Sequence, residues 1–175
     1  MGKKIKFLTE TAVLLALLVV LQGVTQSVGQ LLTGSCVNTV LAVATLAVSP
    51  WSGVVLAVLS PFVAFLFGIG PKLIWVVPMI CVGNLLFVLL LWALSGKPRY
   101  PIGRKLCGGV LASTVKAAAL YLLVVQLLCH VLTLPEKQVA TFSVMFSWPQ
   151  LVTALIGSTL ALLLVPVIQK ARKQN

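Results

Sequence analysis

From Leu73 to Leu94 the chain carries no charged side chain, and only Pro78, Gly83 and Asn84 interrupt its apolar character. An α-helix needs about 20 apolar residues to cross the hydrocarbon of a bilayer, so this run predicts a membrane-spanning helix. Pro78 does not exclude it, because groups on neighbouring helices can satisfy the carbonyl that a proline frees. Five further segments have the same character. They lie at roughly 7–24, 31–48, 54–69, 106–131 and 149–168.

The second of these is the weakest. Its apolar core runs from Cys36 to Val48, needs Leu31 and Leu32 to reach a crossing length, and stops at Ser49-Pro50-Trp51-Ser52-Gly53. The third contains Pro61 and ends at the turn Gly68-Ile69-Gly70-Pro71, and the sixth has Pro149 in its first turn, where a missing N–H costs nothing. Thr133 to Ser147 reads as a polar connection. The expected fold is a single all-α membrane domain over residues 1–175, with six transmembrane helices. Only 9% of the residues are charged and 60% are hydrophobic. A soluble domain carries about 25% charged residues, so most of this surface must face lipid. The first helix follows Lys3, Lys4 and Lys6 as a signal peptide would, but no small-residue cleavage site follows closely, and it is expected to stay attached.

Basic residues set the orientation. There are 13 Lys and Arg against two Asp and Glu, a formal net charge of +11. In a soluble chain that balance would suggest nucleic acid; here the charges sit at the ends of apolar runs. Lys3, Lys4, Lys6, Lys97, Arg99, Arg104, Lys105, Lys170, Arg172 and Lys173 fall on one side if the chain crosses six times. Lys72 and Lys137 fall on the other, and Lys116 lies inside the fifth span. Cytoplasmic loops carry the excess of Lys and Arg, so both termini are expected in the cytoplasm.

Reaction chemistry is thin. The chain has no aspartate, and Glu10 and Glu136 fall on opposite sides of the membrane. Carboxylate pairs and Ser/His/Asp triads are therefore out of reach. Gly68-Ile69-Gly70-Pro71-Lys72 lacks the spacing and hydroxyl of a phosphate-binding loop, so the chain does not hydrolyse ATP by itself. Cys36, Cys81, Cys107 and Cys129 show no metal-ligand spacing. No enzyme activity, cofactor or metal is expected. What remains is recognition.

Several polar groups bear on that. Lys116 lies about ten residues into its span with no acid near it in sequence. A charge at mid-membrane costs roughly 3 kcal/mol on insertion scales, so it should face the bundle interior. Either it reaches a carbonyl or the interface, or it meets a ligand. Lys72, Trp75, Met79 and Gly83 share one face of the expected fourth helix. That face is a candidate pocket wall, although Lys72 and Trp75 also suit interfacial anchors. Gln22, Gln26 and Gln30 recur every four residues. Asn38 and Asn84 are amides of the kind that cross-link membrane helices. Tyr121, Gln126, Trp148 and Gln150 add to an outer half rich in hydrogen-bonding groups. Together they predict a pocket opening outward.

With its six spans and basic start, the string Leu8-Thr9-Glu10-Thr11-Ala12-Val13-Leu14-Leu15-Ala16, the string Phe146-Ser147-Trp148-Pro149-Gln150-Leu151 and a basic tail after Pro166, the chain resembles the substrate-binding S components of energy-coupling factor (ECF) vitamin transporters. The resemblance covers nearly the whole length. It implies a multi-pass subunit of the bacterial cytoplasmic membrane that binds a vitamin or related micronutrient near the outer face. Ala12 and Ala16 would dock on a transmembrane T component, two cytosolic ATPases would complete the complex, and the subunit would topple to release its substrate inside. It also implies a pocket built from the outer loops and spans four to six, the region of Lys72, Trp75, Met79, Asn84, Lys116, Tyr121, Gln126, Trp148 and Gln150. Spans four to six hold no carboxylate, which favours a neutral or anionic substrate. The alternative to an import subunit is a stand-alone small transporter or channel.

Overall fold

The computed structural model describes residues 2–174, with side chains as far as residue 172. The Lys173 side chain and Asn175, in the basic tail, lie outside the described residues. Seven helices follow in order: α1 Gly2–Thr25, α2 Gln30–Val48, α3 Pro50–Leu66, α4 Val76–Ser95, α5 Ile102–Val131, α6 Glu136–Met145 and α7 Trp148–Gln174. No strand occurs among the described residues. Among the described residues, five helices are long and apolar enough to cross a bilayer. α3, with 17 residues, sits at the short end of the crossing range of about 17–25, and α6 is too short to cross.

Local chemistry sets the breaks. α1 and α2 are separated by Gly29, whose φ of 127° few other residues adopt. Ser49, in extended conformation, ends α2 and caps α3, its side chain accepting from the Ser52 N–H at 3.2 Å with Pro50 at the first helical position. The Ser49–Gly53 segment therefore begins a helix as well as ending one. α4 starts at Val76, three residues later than the apolar run suggested, because Gly70 and Pro71 leave an irregular stretch through Trp75. The expected polar connection at 133–147 contains α6. Its Glu136, Lys137 and Gln138 face out, while Phe142 is buried and meets Phe146 edge to face at 6.1 Å.

Two stretches are π-helical: Ala44–Val48 at the end of α2 and Tyr121–Leu128 within α5. Hydrogen bonds that skip five residues bring side chains five apart onto one face. That is how Gln126 Nε2 reaches Tyr121 Oη at 3.2 Å.

Apolar contact between helices gains little in lipid, so close packing and internal hydrogen bonds hold such bundles together. α7 lies against α2 and α5, and α4 against α3 and α5. At Gly157 of α7 an added Cβ would sit 2.7 Å from backbone atoms of Asn38 and Thr39, so only glycine permits that approach of α2. One buried cluster, including Leu18, Leu41, Leu56, Phe87 and Leu91, fills the heart of the bundle. A second, with Val76, Leu120, Val124, Phe142 and Phe146, packs α6 onto α4 and α5.

Both chain ends lie at one end of the bundle. Arg172 of α7 donates to both carboxylate oxygens of Glu10 on α1 at 2.9 Å and to the Ala47 carbonyl. Gln169 donates to the Leu46 carbonyl at 3.3 Å.

Candidate functional site

At the opposite end a cavity of about 350 Å³ opens between α1, α2, α3, α4, α5 and the α6–α7 junction. Its size is near the lower end of ligand pockets, about 300–1,000 Å³. Val37, Phe65, Val77, Ile80, Leu120 and Phe146 supply apolar wall.

The floor is polar. Lys116 Nζ donates to Asn38 Oδ1 at 2.5 Å and to Asn84 Oδ1 at 2.7 Å, and stands 5.3 Å from the centre of the Phe87 ring. Asn38 Nδ2 donates to Thr153 Oγ1 at 3.3 Å, and that hydroxyl donates to the Gln150 carbonyl at 3.2 Å. Lys116, Asn38, Asn84 and Thr153 are 3%, 1%, 2% and 1% exposed. The network thus joins α2, α4, α5 and α7 inside the bundle. An ammonium has three N–H donors. Two are used here, and among the described residues the third has no partner. Among the described residues, no carboxylate lines the cavity.

Two further lining groups lack partners among the described residues, the Ser60 hydroxyl and Gln22 Oε1. Ser60 is only 1% exposed. Buried polar atoms are nearly always hydrogen-bonded, so orphans beside a cavity mark places where something else bonds. At the mouth, the Met145 carbonyl at the end of α6 accepts from Gln30 Nε2 at 2.5 Å and Gln150 Nε2 at 3.1 Å. Terminal carbonyls of a helix have no partner within it, and here two glutamines from other helices fill that role.

Of the predicted pocket residues, Asn84, Lys116 and Gln150 line this cavity. Asn38, Gln22, Gln26 and Gln30 join them, the glutamines from either side of the Gly29 turn. The others lie elsewhere. Lys72 precedes α4 and is exposed, and Trp75 is 60% exposed. Met79 packs against the second apolar cluster. The shared face expected for Lys72, Trp75, Met79 and Gly83 does not form, because the helix begins at Val76. Gly83 instead meets α5, where an added Cβ would come within 2.7 Å of Leu120. Tyr121 and Gln126 bond to each other on the exposed side of α5, and Trp148 is 61% exposed. Ser60, Thr153 and Met145 were not anticipated. A signal was present in Pro61, which itself lines the cavity: a proline in a membrane helix often accompanies a site.

A second surface lies on α1. Ala12 and Ala16 are exposed together with Leu8, Val13, Leu17 and Val20. Thr11 points the other way, donating to Ser52 Oγ of α3 at 3.0 Å.

Residues 6–169 match the family model described as "ECF transporter, substrate-specific component". Neither a search of curated proteins nor one of solved structures returned a match. The match spans nearly the whole chain, and the chain belongs to the family of substrate-specific components of ECF transporters. It is a multi-pass membrane subunit that supplies substrate specificity to a transport complex with a T component and ATPases, and not an enzyme.

Proposed function

We propose that the chain binds a vitamin or related micronutrient in the cavity between α1, α2, α3, α4 and α5, and delivers it for import across the bacterial cytoplasmic membrane. In this reading the termini and the Gly96–Pro101 loop are cytoplasmic and the mouth at Gln30, Met145 and Gln150 faces outward. The bias of basic residues toward the terminal end supports that orientation. Ala12 and Ala16 form the contact with the T component, and two cytosolic ATPases power the cycle. Asn84, Lys116 and Gln150, with Asn38, Gln22 and Ser60, are the substrate-binding residues.

The observation that carries the reading is the cavity itself: apolar walls, a buried polar floor, and lining groups with unused hydrogen-bonding capacity. The test is native mass spectrometry of the purified protein, with thermal unfolding across a panel of water-soluble vitamins. One compound should be retained and should raise the unfolding temperature. No retained small molecule and no shift across the panel would refute the proposal. Vesicles holding this chain alone should show binding but no ATP-driven uptake; sustained flux there would favour a stand-alone transporter.

A further inference from the structure

We infer that the substrate carries a single anionic group, a carboxylate or its equivalent, and enters with that group leading, to seat against Lys116 at the cavity floor. The inference rests on the cavity being the substrate site. A lysine within a membrane span ordinarily pairs with another charged or polar group. Lys116 has only neutral partners, Asn38 and Asn84, both through amide oxygens, and the Phe87 ring. Neither acid of the chain is near: Glu10 is held by Arg172 at the terminal end, and Glu136 is exposed on α6. With Lys116 as an ammonium, the floor carries a net positive charge in a place nearly closed to solvent. An incoming anion supplies the missing countercharge and takes up the third N–H. A cationic substrate would meet the ammonium with no carboxylate to offset it.

The walls fix the orientation. Phe65, Val77, Ile80 and Leu120 suit an uncharged body, while Gln22 and the Ser60 hydroxyl offer hydrogen bonds along its sides. Lys72 lies before α4 on the exposed surface and is not among the residues that line the cavity.

The test uses matched pairs in which a neutral group replaces the carboxylate: nicotinate and nicotinamide, biotin and its primary amide, lipoate and lipoamide, pantothenate and its alcohol. Affinity is read by calorimetry on the purified protein, and any co-purified molecule is identified by native mass spectrometry. The charged member of the pair that binds should bind more than about tenfold tighter, as a charge-assisted hydrogen bond implies. Lys116→Met should remove that preference. Because Lys116→Met alters the core, Asn84→Asp is the second variant. It is isosteric and gives Lys116 an internal countercharge, so it should fold at least as well and still lose more than about tenfold in anion affinity. Binding of an uncharged or cationic compound without preference for the anion would overturn the inference and leave the cavity reading standing. So would an anion preference untouched by Asn84→Asp. Absence of any bound compound would overturn both.

Discussion

Arg172 grips Glu10 through both carboxylate oxygens, fastening the last helix to the first at the terminal end of the bundle. The two side chains are 32% and 25% exposed, so water screens the pair, and its own contribution is about 1 kcal/mol or less. Arg172 also satisfies the Ala47 carbonyl at the end of α2. Arg172→Ala should therefore cost more than Glu10→Gln, about 1–2 kcal/mol. Thermal unfolding in detergent, followed by a thiol dye reaching buried Cys81 and Cys129, measures both. Equal losses would show that the Ala47 bond contributes nothing.

The floor network should behave as a unit. Asn84→Leu removes one acceptor from a buried ammonium and should destabilise by about 2–3 kcal/mol. Adding Lys116→Met removes the stranded charge, so the double variant should lose less than the two single losses together, with a coupling of about 1–2 kcal/mol. Strict additivity would mean that the two side chains do not share their energy.

Bulk on the exposed face of α1 should act on assembly alone. Ala12→Trp with Ala16→Trp should abolish co-purification with the T component while leaving ligand affinity within about twofold, since neither alanine lines the cavity. Recovery of an intact complex would remove α1 as the contact.

Gly157→Ala should push α7 away from Asn38 and Thr39, where backbone leaves no room. Overpacking of this kind costs about 1–3 kcal/mol. Because Asn38 also bonds Lys116, ligand affinity should fall along with stability. A drop in stability at unchanged affinity would separate the packing contact from the site.

The spans were legible because apolar length is a direct requirement of lipid. α6 was not, since its polar first turn masks the burial of Phe142. Lys116, Asn38 and Asn84 could be singled out because charge and amides stand out against an apolar background. Their meeting could not, because it depends on three helices from distant parts of the chain. Trp75 falls just before α4, in the irregular stretch that follows Gly70 and Pro71, where an apolar run alone does not mark the helix start. Tyr121 and Gln126 meet each other across the π stretch, a pairing that an α-helical period does not predict. Ser60 was invisible, because most such small hydroxyls bond within their own helix turn, as Thr45 does with the Leu41 carbonyl, and nothing in the sequence marks Ser60 as one that does not.

The glutamine pair on the Met145 carbonyl has a mechanical consequence. At the terminal end an ion pair joins α1 and α7, and deeper in the bundle the Lys116 network joins four helices, whereas the lip is fastened by two hydrogen bonds from glutamine side chains to one carbonyl oxygen of a short helix. The lacing of the rim is thus neutral, and that of the base charged.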